Sequence, residues 1–425
     1  MSADVAIVAD DLTGAGDTAV EFSQAGWTAE LRLREGGSDA QVIAVTTDSR
    51  ACPDAEAAAR VRRAVEGVAQ ARVRHPFKKI DSTARGPIRA EVDAMLDVLP
   101  AGTLALVCPA FPELGRTVVD GTLLVHGQPV ATTAAGNDPV TPVTESHLPT
   151  LLDAPLVRLD PQGSPRTWAE QARTAGRNAG RLVVVVDAAD DDELNRLAQT
   201  VVELGELALP VGSAGLAVPL ARRWRANPPA ATSPSVPPPS GTAPSGTSLV
   251  VVTSLNTTSR EQARALAEQG AQHHEPSELQ LTDDSAWSAF VEGVLNAAGE
   301  QPANLLITAP DRDRARVAPA LAARRIAEVA AQIVRCHGIA GLVVTGGDGA
   351  RSLLDGLDGR GIRLHGHVAP GVAMGVLVGG WAAGIPVATK AGGFGKRDIL
   401  IRAADAVRQT DAVQETAVSK ARSSP

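Results

Sequence analysis

Residues 5–22 read VAIVADDLTGAGDTAVEF. An apolar run with three β-branched residues ends in two adjacent carboxylates, Asp10 and Asp11. A Thr13-Gly14-Ala15-Gly16 turn follows, and then a helical pattern that carries Asp17. Strand, glycine-bearing turn and helix make the first half of a βαβ unit. Working outward, the same alternation continues through QVIAVTT, HPFKKI, TLALVCPA and RLVVVVDA, with helical segments such as PDAEAAARVRRAVEGVAQA between them. It resumes with SLVVVTS, NLLITA, GLVVTG and IPVATK, alternating with SREQARALAEQ and APALAARRIAEVAAQIVRC. Near-continuous apolar strands separated by helices predict α/β folds with mostly parallel sheets, flanked by helices.

Residues 226–248, ANPPAATSPSVPPPSGTAPSGTS, have no apolar period and consist mainly of Pro, Ser, Ala, Gly and Thr. Such a stretch reads as a linker. It predicts two domains, 1–225 and 249–425, with a frayed tail after about residue 412. In parallel sheets ligands bind beyond the carboxyl ends of the strands. The polar residues just after each strand are therefore the candidates for chemistry.

Bulk properties narrow the classes. A chain of 425 residues that is 44% hydrophobic can build two sizeable cores. The net charge of −8 comes with no basic stripe, which argues against a nucleic-acid partner. Cys52, Cys108 and Cys336 are far apart, so neither a disulfide framework nor a zinc ribbon is expected. No apolar run reaches the roughly 20 residues of a membrane span, and the N-terminus lacks a signal-peptide pattern. These features predict a cytoplasmic protein that does not enter a membrane. The chain uses 35 Arg and five Lys, so each Lys beside a Gly or Asp stands out.

Three segments of the first half carry candidate chemistry. Asp10 and Asp11 at a strand end can hold a divalent cation, orient a hydroxyl or take its proton; one of them can equally cap the next helix. In KKIDSTARGPIRAEVDAML, residues 78–96, a strand ends at Asp81-Ser82-Thr83 and Pro87 suits a helix start. Lys79, Asp81, Ser82, Thr83 and Arg85 gather there, a set suited to a carboxylate or phosphate. In CPAFPELGRTVVDGTLLVHGQPV, residues 108–130, a proline-stiffened loop presents Arg116.

The second half is glycine-rich. VVTGGDGARSLL (343–354), APGVAMGVLVGG (369–380) and ATKAGGFGKRD (388–398) read as loops of a nucleotide site, with the amides of Gly346, Gly347 and Gly349 on phosphate and Asp348 on a metal or ribose. Neither a Walker A nor a G-x-G-x-x-G string occurs. His273 and His274 read as a solvated polar loop.

Together these strings resemble the four-carbon acid sugar kinase family, whose members phosphorylate threonate, erythronate or 3-oxo-tetronate on the terminal hydroxyl with ATP. The resemblance runs from IVADDLTGAGDTAVEF to ATKAGGFG, and DDLTGAGD and KKIDSTARGPI are among its most specific strings. It implies an acid-sugar-binding first domain, a nucleotide-binding second domain and an active site in the cleft between them. It implies substrate contacts at Asp10, Asp11, Lys79, Asp81, Ser82, Arg85 and Arg116, and ATP contacts at Ser254, Gly346, Gly347, Asp348, Gly349 and Gly392. Asp11 or Asp81 would deprotonate the C4 hydroxyl, and Mg²⁺ would bridge the ATP phosphates with Asp10 or Asp348 nearby. A homodimer is the default assembly. The glycine loops differ from the family, which usually has Gly-Gly-Glu-Thr at 346–349 and Ser-Gly-Asn-Phe-Gly at 391–395. Two alternatives stand beside this reading: a non-catalytic sugar-acid-binding protein with a degraded nucleotide site, and an α/β oxidoreductase or isomerase acting on the same acids.

Overall fold

Val5–Ala9 is a strand, β1, with all five residues buried, and Leu12–Gln24 is the helix α1. The helix starts earlier than its glycines suggest. Asp11 is the N-cap, so Thr13 to Gly16 lie inside the first turns of α1 and not in a turn before it. The computed structural model describes residues 3–34, 37–69, 73–138, 140–225, 246–311 and 316–409. Of the expected linker, residues 226–245 lie outside the described residues, as does the tail from 410. The chain divides into two compact units, Met1–Leu31 with Gly37–Thr232, and Arg32–Gly36 with Ser233–Pro425.

After β2 (Ala29–Arg32), whose last residue belongs to the second unit, the first unit continues with β3 (Val42–Thr46), α2 (Asp54–Ala69), β4 (His75–Lys79), α3 (Ile88–Leu96) and β5 (Leu104–Cys108). Next come β6 (Arg116–Val119), β7 (Thr122–Val125), β8 (Gln128–Pro129), α4 (Leu148–Leu152), β9 (Leu156–Val157) and α5 (Pro165–Asn178). β10 (Val183–Val186), α6 (Asp191–Leu204), β11 (Ala208–Gly212) and α7 (Ala214–Arg223) complete it. Its main sheet has the order β2-β3-β1-β4-β11-β5-β10-β9. The pairs from β3 to β9 are parallel, as continuous apolar strands covered by helices on both faces require.

The loop expected to present Arg116 is instead a small antiparallel sheet of β6, β7 and β8. Asp120-Gly121 and His126-Gly127 make its two turns with φ positive at every position. This is the backbone that closes two-residue hairpins.

β4 ends in two lysines, and neighbouring strand residues face opposite sides. Lys78 Nζ lies 2.8 Å from Glu91 Oε2 on α3, with both side chains out of solvent. Ser49 Oγ donates to the other Glu91 oxygen. Lys78→Met leaves that buried carboxylate without a counter-charge and is expected to cost about 3–5 kcal/mol in urea unfolding. The double variant Lys78→Met with Glu91→Leu is expected to recover most of that loss. A single-variant loss below about 1 kcal/mol would contradict the pairing's structural role.

The second unit contains β12 (Ser248–Val252), α8 (Thr257–Glu268), β13 (Gln272–His274), α9 (Glu278–Thr282), α10 (Asp284–Gly299) and β14 (Asn304–Thr308). α11 (Pro319–His337), β15 (Gly341–Thr345), α12 (Gly347–Gly356), β16 (Gly361–Ala369), β17 (Val372–Val378) and β18 (Pro386–Lys390) follow, then a helix over 399–409. Strand order is β13-β14-β12-β15-β18-β17-β16. The pairs from β13 to β18 are parallel, and β16 and β17 add an antiparallel hairpin. Leu266, Leu306, Val343, Leu400 and Val407 belong to one buried cluster on this sheet.

Two expectations are corrected here. His273 and His274 lie in strand β13, where His273 Nε2 is 2.8 Å from Thr308 Oγ1; burial pushes both imidazoles down. The APGVAMGVLVGG segment is the β16–β17 hairpin rather than a phosphate loop. Gly371 turns it at φ +80°, and a Cβ there would meet Phe394. Among the described residues no helix is long and apolar enough to cross a membrane.

Candidate functional site

Register places Ala9 beside both Thr46 and Lys79. The loops after β1, β3 and β4 therefore leave the sheet side by side. β1 lies between β3 and β4, so chain crossovers depart from it in both directions, and ligands enter α/β sheets at such a point.

Arg50, from the loop after β3, ties the site together. Its Nε and Nη2 donate to Asp10 Oδ2 and Oδ1 at 2.7 and 3.0 Å. Its Nη1 and Nη2 donate to Asp11 Oδ2 and Oδ1 at 3.0 and 2.7 Å. Asp81 Oδ1 is 3.8 Å from the same guanidinium. One planar fork thus spans three carboxylates, a geometry open to Arg and closed to Lys. Arg50 was absent from the residues picked out of the sequence. Its only signal is position: it ends the polar run TTDSR just after an apolar strand.

Asp11 also accepts from Gly14 N at 2.9 Å and Thr13 Oγ1 at 2.7 Å, so it caps α1 while it faces Arg50. Burial pushes its carboxyl up, but Arg50, Lys79 and Thr13 outweigh burial and hold it below the usual range. Asp81 takes a bidentate fork from Arg85, with both contacts at 2.9 Å, and a hydrogen bond from Thr83 Oγ1. Here too burial pushes up, and Arg85 and Arg50 together leave the carboxyl well below the usual range. Ser82 is buried in the same loop.

The cations divide into committed and available groups. Arg85 is committed, since its remaining nitrogen, Nη1, donates to Asp138 Oδ2 at 3.0 Å. Asp138 had given no signal in the sequence. Arg116 begins β6 and donates from Nη1 to Leu114 O. Burial pushes its guanidinium down, and Asp81 and Arg85 both act on it. Lys79 differs from both arginines. Its Nζ donates to Ile80 O at 2.8 Å and to no other atom among the described residues, although the residue is only 5% exposed. A Cβ on Gly14 would stand 2.7 Å from Lys79 Nζ and 2.5 Å from Asp11 Oδ1. Glycine is what lets the ammonium and the carboxylate approach the helix start together.

In the second unit, Val252, Thr345 and Lys390 are in register at the ends of β12, β15 and β18. The segments beyond them converge. A Cβ on Gly392 would lie 2.6 Å from Ser254 Oγ, and one on Gly346 would lie 2.8 Å from Ser254 N. Gly346 is the N-cap of α12 at φ +99°. The first helical bond runs from Ala350 N to Gly346 O, so the N–H groups of Gly347, Asp348 and Gly349 open the helix without an intrahelical acceptor. Such an end favours an anion.

Cation ligands are a different matter. Among the described residues no three His, Cys, Asp or Glu side chains gather as a metal cage. Asp10 has both oxygens on Arg50 and does not fit a metal ligand. The side chain of Asp348 lies outside the described residues.

A family described as "Sugar-binding N-terminal domain" matches residues 5–220, and one described as "Nucleotide-binding C-terminal domain" matches residues 249–400. The chain is 46% identical to a D-threonate kinase of Bordetella bronchiseptica over 95% of this chain and 98% of that one. It is 31% identical to a D-erythronate kinase of Heliobacterium modesticaldum, covering 94% and 96%. The fold is also that of a Salmonella typhimurium LT2 protein described as a putative tRNA synthase, with a TM-score of 0.77 at 22% identity over 94% of this chain and 98% of that one.

Proposed function

The chain belongs to the four-carbon acid sugar kinase family, and we propose that it transfers the γ-phosphoryl group of ATP to the C4 hydroxyl of D-threonate. It is a carbohydrate kinase. The choice of acid follows the relative that shares 46% of its residues. The observation that carries the reading is Lys79, a buried ammonium with donors to spare beside a cluster of neutralised carboxylates. A buried cation with unused donors is costly unless an anion arrives, and an acid sugar supplies one.

Each residue then has a task. Lys79 and Arg116 hold the sugar carboxylate or the incoming phosphate, Arg85 holds Asp81 in place, and Ser82 lines the same loop. Asp11 orients the C4 hydroxyl and takes its proton, because its side chain keeps 20% exposure against 8% for Asp81. Asp10 sets the plane of Arg50 and so the position of Asp11. Ser254, Gly346, Gly347, Asp348, Gly349 and Gly392 hold the nucleotide. A divalent cation such as Mg²⁺ would reach the site with ATP rather than on a carboxylate of this chain, and would supply charge neutralisation at the phosphates. Transfer requires an in-line approach of hydroxyl and γ-phosphate and exclusion of water from both. The working assembly is a homodimer, the commonest closed symmetry.

A coupled assay of ADP release tests this with ATP and Mg²⁺ against D- and L-threonate, D- and L-erythronate and the 3-oxo-tetronates. D-threonate is expected to give the highest kcat/KM. A higher value with another of these acids would reassign the substrate, and no ADP with any of them would contradict the kinase.

A further inference from the structure

Lys390 is the last residue of β18 and is completely buried. No carboxylate pairs with it among the described residues. Its ammonium donates to Ala391 O at 2.7 Å, to Gly392 O at 3.0 Å and to Ser259 Oγ at 3.3 Å. An ammonium has three N–H donors, and all three are used. Burial pushes the group down to about 7, and its three oxygen partners are the acceptors that the ammonium form requires.

The same segment is held from a second side. Ser259, in the first turn of α8, donates to Gly392 O at 2.7 Å. Gln262, one turn further along, donates from Nε2 to Phe394 O, Gly395 O and Lys396 O at 3.0, 2.9 and 3.1 Å. Five carbonyls between Ala391 and Lys396 are thus drawn toward β18 and α8. In a trans peptide the carbonyl and the next N–H point in opposite directions. Fixing the carbonyls of Ala391 and Gly392 therefore turns the N–H groups of Gly392 and Gly393 the other way. Neither N–H meets an acceptor among the described residues, and Ser254 Oγ stands next to Gly392.

We propose that Lys390 is a positioning residue of the nucleotide site, which locks the Ala391–Gly392 carbonyls so that the Gly392 and Gly393 amides form a donor pair for a phosphate oxygen. Paired backbone amides of this kind bind anions without a side-chain charge. The inference rests on the nucleotide-binding reading above. It differs from that reading in assigning a role to a residue that the phosphate does not touch.

Isothermal titration of the full chain with ADP, and separately with D-threonate, tests it. Lys390→Met is expected to weaken ADP binding about tenfold or more, the worth of hydrogen bonds made by a charged group. D-threonate affinity should stay at its wild-type value, which a general loss of the fold would not allow. Where Lys390→Met fails to fold, Ser259→Ala decides, with a smaller weakening of ADP binding in the same direction. Wild-type binding of ADP with an unchanged Kd in the deciding variant overturns the role of Lys390 alone. A wild-type chain that binds no ADP overturns both this inference and the kinase reading.

Discussion

Replacing Arg50 with alanine is expected to abolish acid-sugar turnover and to destabilise the protein by about 3–5 kcal/mol. The guanidinium bridges Asp10, Asp11 and Asp81, and the first of these is 2% exposed. Removing it strands Asp10 and leaves Asp11 and Asp81 to Lys79 and Arg85. The pH dependence follows from the direction of the shifts. Asp11 and Asp81 sit below their unfolded values. Their contribution to stability is therefore complete above about pH 4 and is lost as pH falls through the depressed values. Without Arg50, Asp11 and Asp81 lose one of the cations that hold them down, and their carboxyls move back up although Lys79 and Arg85 remain. The variant keeps only part of the stability that the wild type gains above about pH 4, so its deficit is widest at neutral pH and narrows as pH falls. Urea unfolding at pH 7 and at acid pH measures both. Arg50→Lys keeps a charge without the fork and is expected to regain part of the stability and little of the activity. A deficit that does not change with pH would contradict the bridging role.

Asp11→Asn is expected to lower kcat by about 10²–10⁴-fold, the usual worth of a positioned proton acceptor. Asparagine caps helices as well as aspartate does, so α1 keeps its start and the variant stays folded, at some cost in stability from the charge lost beside Arg50. KM for the acid should move less than kcat, because Lys79 and Arg116 remain. Asp11 is ionised at neutral pH, being held below the usual carboxylate range. Wild-type activity should therefore fall only as pH drops toward that depressed value. Steady-state kinetics of the purified variant checks the prediction, and near-normal kcat would remove Asp11 from the chemistry.

Much of this molecule was legible in its sequence, for physical reasons that also explain the gaps. Buried parallel strands need apolar residues on both faces, so β1, β3, β5, β10, β12, β14 and β15 announce themselves as short apolar runs. Strand β13 does not, because an edge strand of Gln272, His273 and His274 needs only one neighbour. The β6–β7–β8 sheet carried its signal in Asp120-Gly121 between Val-Val and Thr-Leu-Leu-Val, a pattern that matches a hairpin better than a loop. In the site, Asp10, Asp11 and Asp81 follow strands and Lys79 ends one, in glycine-bearing motifs, and all four could be picked out. Arg50 sits in no motif, and its importance comes from the adjacency of β3 and β1, a long-range fact. Likewise, nothing local distinguishes Lys78 from Lys79. The distinction depends on which face meets Glu91 and which meets the start of α1.

A four-carbon acid kinase of this kind delivers phosphate to one particular oxygen, that on C4. The most direct test is ³¹P and ¹H NMR of the reaction of the chain with ATP, Mg²⁺ and D-threonate. ADP is expected together with one new phosphomonoester, whose phosphorus couples to the two protons on C4. ADP with only inorganic phosphate, or a phosphorus coupled to the proton on C2 or C3, would contradict it.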